Sequence, residues 1–148
     1  MNQLAVNISS NPVDHENLLR THGVFPTQQR MAIAKILFTR HQHITAEQLH
    51  TILKQQGFLV SKATVYNTLA TFVEKGLLFE IFIDPNSVYY DSNISHHHHF
   101  YNVDTGQLTD IAEDLAPRFD TAQLPEGTYF DDVDIVIRVR NQNLASAE

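Results

Sequence analysis

The sequence predicts an α+β fold, an N-terminal winged helix-turn-helix followed by a small C-terminal α/β domain. Three observations carry that expectation. Apolar residues recur at helical spacing in four segments before position 77. A hairpin pattern follows at once, over residues 77–90. Beyond an internal run of four histidines, His96 to His99, apolar residues alternate with the period of a strand. The domains are set at 1–90 and 91–148, with a hinge near 91–95.

The elements follow in order. A first helix is expected over Val13 to Thr21, stopping near Gly23. Pro26-Thr27 opens a second, where Thr27 can cap the free amides and Ala32, Ile33, Ile36 and Leu37 share a face. Thr45 with Gln48 forms a capping box for a third helix, whose inner face holds Ala46, Leu49, Ile52 and Leu53 before Gly57. Ser61 caps a fourth, lined inward by Val65, Leu69, Phe72 and Val73 and ended by Gly76. Leu77 to Ile83 reads as a buried strand, Asp84-Pro85-Asn86-Ser87 as a turn and Val88-Tyr89-Tyr90 as the return. Asp91 to Ser95 is the expected linker. In the second half, strands are expected at Phe100 to Val103 and Gln107 to Ile111, around Asp104-Thr105-Gly106. A short helix is expected over Ala112 to Phe119, and a strand over 132–139 with Val133, Ile135, Ile137 and Val139 on one face.

Composition narrows the function. The chain has 148 residues, no cysteine and a net charge of −7. Disulfides, thiolate-zinc sites and cysteine nucleophiles are therefore excluded. No apolar run approaches membrane-spanning length and no secretory signal opens the chain, so a cytoplasmic address without membrane contact is expected. The charge is uneven. Residues 1–90 carry seven Lys/Arg and six Asp/Glu, whereas residues 91–148 carry three and eleven. The acid belongs to the second half, which leaves the first free to meet phosphate.

Only a few residues, Gly57 to Ser61, join the third and fourth helices, the layout in which the second helix of the pair enters the major groove of double-stranded DNA. The outward face of the fourth helix carries Ala63, Tyr66, Asn67, Ala70 and Thr71, and its first turn adds Ser61, Lys62 and Thr64. Hydroxyls and Lys62 suit phosphate, and Asn67 can read an adenine edge. Ser61, Lys62, Thr64, Tyr66 and Asn67 are the expected DNA contacts.

Imidazole is the commonest protein metal ligand and a haem ligand. In an extended segment His97 and His99 share one face, while His96 and His98 share the other.

The ordered set Pro26-Thr27-x-x-Arg30, His43-Ile44-Thr45-Ala46-Glu47-x-Leu49, Ala63-Thr64-Val65-Tyr66-Asn67-Thr68-Leu69 and the histidine run resembles the ferric uptake regulator (Fur) superfamily over roughly residues 15 to 140. Tyr90-Asp91-Ser92-Asn93 and the ending Val133 to Arg140 are most similar to its iron response regulator (Irr) branch. The resemblance implies a homodimeric transcription factor with a C-terminal α/β dimerisation domain and an AT-rich palindromic operator. It also implies a hinge site for Fe(II), Mn(II) or Zn(II) on His43, Asp91, His97, His99 and Asp110. A metal there would fix the spacing of the two recognition helices. A two- or four-residue turn at Asp104 would bring Asp110 opposite His99, and a three-residue turn would put it on the wrong face. The Irr-like features imply haem on His96, His97 and His98. A second metal position on His96, His98 and Glu113 is a further option.

Three departures from the family stand out. Asn102 to Thr105 offers no cysteine pair for a structural zinc, Asn11-Pro12 replaces a Cys-Pro haem motif, and no histidine follows His99. The expected function is a regulator that senses iron status through haem or a divalent metal. The nearest alternative is an iron-dependent peroxide sensor of the same superfamily, which uses three histidines and two aspartates. A metalloenzyme is disfavoured because no HExxH helix is present, and for a metal buffer the winged helix would be surplus.

Overall fold

A computed structural model describes residues 12–112 and 120–143, and the chain divides into two compact units, Met1–Ser95 and His96–Glu148. The expected helix over Ala112 to Phe119 and the residue Glu113 lie outside the described residues, apart from Ala112 itself.

The first unit contains α1 (Pro12–Thr21), α2 (Gln28–Leu37), β1 (His43–Thr45), α3 (Ala46–Gln55), α4 (Lys62–Glu74), β2 (Phe79–Asp84) and β3 (Ser87–Asp91). Its helices start where the caps demand. Thr27 accepts the Arg30 amide at 3.2 Å, and Ser61 accepts that of Thr64 at 3.1 Å. Thr45 accepts the Gln48 amide at 3.1 Å while the Gln48 side chain accepts the Thr45 amide at 2.9 Å, a complete capping box. Thr45→Ala is expected to destabilise this unit by about 1 kcal/mol, read as a lower urea midpoint with an unchanged slope.

Three of the helices end alike. Gly23, Gly57 and Gly76 take left-handed backbone, and the following amide reaches back into the last turn: Val24 to Leu19, Phe58 to Leu53 and Leu77 to Phe72. The core these helices enclose is apolar and closed. Leu19, Ile33, Leu37, Phe38, Leu49, Leu53, Val65, Leu69 and Phe72 are fully buried, with the Phe38 and Phe72 rings 5.8 Å apart.

The wing departs from the expected hairpin in two ways. β2 starts at Phe79, because Leu77 and Leu78 are drawn into the helical core instead. The sheet also has a third member: β1 pairs antiparallel with β3, giving the order β1-β3-β2. The residues expected to form a linker begin inside this unit. Asp91 ends β3, and Ser92 is tied back to Arg40 in the segment between α2 and β1.

The second unit is a three-stranded sheet in the order β5-β4-β6, from β4 (His99–Asn102), β5 (Leu108–Asp110) and β6 (Val136–Val139). β4 and β5 are antiparallel, and the Asn102 amide donates to the Gln107 carbonyl, which leaves a four-residue turn at 103–106 and sets His99 opposite Asp110. β6 runs parallel to β4 and is half the expected length. It starts late because the Ile135 amide is taken by the His98 ring, at 3.2 Å, rather than by a ladder carbonyl. A polar clamp closes the far end of the sheet. The Asn102 side-chain amide donates to Asn141 at 2.8 Å, and Asp104 holds both the Arg140 guanidinium at 3.0 Å and the Asn141 amide at 2.8 Å. Among the described residues, no helix is long and apolar enough to cross a membrane.

Candidate metal centre and DNA-reading face

In the first unit the pairing of β1 with β3 puts His43 directly across from Asp91. Their side chains meet, with His43 Nε2 3.0 Å from Asp91 Oδ2. Asp91 is almost wholly buried, and its other oxygen accepts the Asn93 amide at 2.8 Å, so the carboxylate has a fixed direction. Two polar residues hold the strands in place. Gln42 donates its side-chain amide to the Ile36 carbonyl at the end of α2. The Gln42 backbone amide donates to Ser92 Oγ at 3.1 Å, and Ser92 Oγ donates to the Arg40 carbonyl at 3.2 Å. Gln42 was not singled out from sequence, and Ser92 entered only within the Tyr90-Asp91-Ser92-Asn93 resemblance, with no role attached. Their partners are set by tertiary folding, fifty residues apart, and no local pattern announces them.

In the second unit three more donors converge. His97 Nε2 and His99 Nε2 lie 3.3 and 3.4 Å from the same atom, Asp110 Oδ1. The two rings are 4.5 Å apart and tilted by 59°. The four-residue connection after β4 is the reason Asp110 reaches this face. Two imidazoles aimed at one carboxylate oxygen form a chelating set, and its nitrogen and oxygen donors suit Fe(II), Mn(II) or Zn(II) better than soft Cu(I).

The histidine run does not act as one patch. His96 pairs with Asp132 at 3.1 Å, where both groups are exposed. His98 is buried, and its Nδ1 accepts the Ile135 amide. Burial first, and then the neighbouring His96, lower its pKa, which favours the neutral ring that this hydrogen bond requires. The three residues expected to hold haem are thus divided among three different partners.

The helix expected to read DNA is α4, which buries Val65, Leu69 and Phe72 as expected, together with Thr68, while Val73 is only partly buried. Lys62, Tyr66 and Asn67 are exposed. Ser61 and Thr64 are committed partly to each other, since Ser61 Oγ also donates to Thr64 Oγ1 at 2.9 Å. The first turn of α4 holds no acidic residue, which leaves its amide-rich end free for phosphate.

The pattern of the Ferric uptake regulator family matches residues 21–137. The chain belongs to that family. It is 33% identical over 104 residues to the peroxide-responsive repressor PerR of Staphylococcus epidermidis, covering 67% of this chain and 69% of that protein. A PerR of Staphylococcus aureus is 34% identical over 93 residues, and the chain spans only 63% of its length. The fold is similar to that of the ferric uptake regulator from Francisella tularensis with iron. The TM-score is 0.68 at 25% identity, over 81% of this chain and 93% of that one. The α+β fold is therefore that of the family, and the chain is a DNA-binding, metal-binding transcription regulator rather than an enzyme. Family members bind operator DNA as dimers. The two staphylococcal relatives are peroxide-responsive repressors, which moves the branch away from the expected iron response regulators.

Proposed function

We propose that this protein is a homodimeric, metal-dependent repressor that senses peroxide and binds an AT-rich palindromic operator. His43, Asp91, His97, His99 and Asp110 together bind one divalent ion in this reading. The observation that carries it is the donor inventory. Each unit presents an incomplete set, one imidazole with one carboxylate in the first and two imidazoles with one carboxylate in the second. Neither set alone fills the coordination shell of such an ion, and jointly they supply three nitrogens and two oxygens.

In the net reaction peroxide is the two-electron oxidant: its O–O bond breaks, one oxygen atom replaces a hydrogen on a ring carbon of His43 or His97, and the other leaves as water. Bound Fe(II) would supply the electron that starts this cleavage and would take one back from the oxidised ring, and the chain's own part is to hold the two rings beside it. Similarity to two peroxide-responsive repressors supports this choice over the haem reading. Haem on His96, His97 and His98 has less support, because His98 already serves Ile135 and the other two each face a carboxylate.

The test loads the apo protein with Fe(II) or with Mn(II), measures operator affinity, and then adds peroxide. With Fe(II), operator binding should be lost and a peptide containing His43 or His97 should gain one oxygen atom. With Mn(II), neither change should occur. Loss of DNA binding without an oxidised histidine would overturn the proposal, as would control of DNA binding by haem.

The proposed DNA contacts have their own test. Asn67→Ala should weaken specific binding by roughly 1–3 kcal/mol while sparing non-specific binding, if Asn67 grips a base edge with both its polar atoms. Lys62→Ala should weaken all sequences alike and flatten the salt dependence. Unchanged operator affinity in both variants would exclude α4 as the reader.

A further inference from the structure

We propose that the first unit carries a second ligand site, distinct from the metal ligands. It is a cleft that takes a small molecule with an apolar body and a single carboxylate. The cleft lies between α1, α2 and the turn before α4, with a volume of about 710 Å³. That size lies within the range of small-molecule sites. Most of its wall is apolar, including Met31, Phe58, Leu59 and Val60.

One polar group in this wall has no explanation within the fold. His15 is 1% exposed, and neither of its ring nitrogens has a hydrogen-bond partner among the described residues. A neutral imidazole offers one N–H donor and one acceptor nitrogen. Leaving both unmet in apolar surroundings is costly, and buried polar atoms are rarely left so. His15 lines the cleft with its ring nitrogens just beneath the wall, so an occupant meets them as the neighbouring side chains part.

The charge around the cleft selects the occupant. No aspartate or glutamate is among its described lining residues, and the one charged side chain there is Lys35. Gln28 and Gln29, from the first turn of α2, also line it. That end of a helix carries partial positive charge. A carboxylate is therefore favoured, with its apolar body lying along Phe58 and Leu59. Leu59 is 94% exposed, a large apolar side chain that such a body would cover. Gly57 to Val60 is also the turn that leads into Ser61, the cap of α4. Occupancy would thus act on the segment that presents the recognition helix, independently of any metal.

Decanoate is a suitable probe, with decanol and decyltrimethylammonium as controls of equal chain length. Calorimetry and ring-selective NMR are applied to the full chain. Decanoate should bind one per chain and shift the His15 ring resonances, and neither control should do so at the same concentration. His15→Leu should weaken decanoate on the order of tenfold. Lys35→Gln should weaken it roughly threefold. Leu59→Glu should weaken it too, while His97→Ala should leave it unchanged. Lys35 and Leu59 are both exposed, so these variants decide the matter even if His15→Leu fails to fold. No binding of decanoate, equal binding of decanoate and decanol, or unmoved His15 resonances would overturn the proposal.

Discussion

Phe72→Ala should destabilise the first unit by about 3–5 kcal/mol, the cost of emptying a fully enclosed aromatic site that cannot collapse. Phe72 is completely buried at the centre of the helical core, packed tilted against Phe38, and its own carbonyl accepts the Leu77 amide that closes α4. A domain of this size holds only about 5–15 kcal/mol in total, so the loss removes a large share of the margin that keeps α4 folded. Urea unfolding followed by circular dichroism measures the effect, and operator binding should fall with it. Phe82→Ala is the control. Phe82 is 61% exposed on β2, and its loss should change stability by no more than about 0.5 kcal/mol. Equal effects from the two phenylalanines would show that the core is not organised around Phe72.

His43→Ala should uncouple metal from DNA. Under the proposed function His43 contributes a metal ligand from the DNA-binding unit, although it lies far in sequence from the histidine run. Its loss should weaken divalent-metal binding and remove the metal dependence of operator binding, leaving the affinity of the apo protein unchanged. Linkage makes the effect reciprocal in the wild type: operator DNA must tighten metal binding by the same factor that metal tightens DNA binding, a coupling of about 1–3 kcal/mol in typical systems. Calorimetry with Mn(II), with and without operator, reads this directly. If the variant keeps full metal-dependent DNA binding, His43 is not part of the switch. The same titration at fixed salt guards against mistaking an electrostatic change for a metal effect.

The first unit was legible because its signals are local. Thr27, Thr45, Ser61 and the glycines at 23, 57 and 76 mark helix ends within a few residues of the bonds they make. The second unit was harder to read for the opposite reason. The start of β6 depends on His98, nearly forty positions earlier, capturing the Ile135 amide, and no periodicity in residues 132–139 reports that. β1 is only three residues long, too short to show alternation, and its pairing with β3 is what turns His43 from a loop residue into a neighbour of Asp91. The placement of Asp110 hung on the length of one turn, which spacing left open and the observed register resolves. His15 gave no signal at all, since a histidine in an amphipathic helix looks the same whether its ring meets water or a cleft.

The clamp of Asn102, Asp104, Arg140 and Asn141 has a chemical consequence. It is built from carboxylate, guanidinium and amide groups in a chain with no thiol. Thiol oxidants find no target in such a frame, and thiol–disulfide exchange cannot reset anything in it. Under the proposed function, an oxidant would consume the sensing histidines while the sheet that carries His99 and Asp110 kept its register. Each molecule would then report once, permanently, and the memory of the event would last until new protein replaced it.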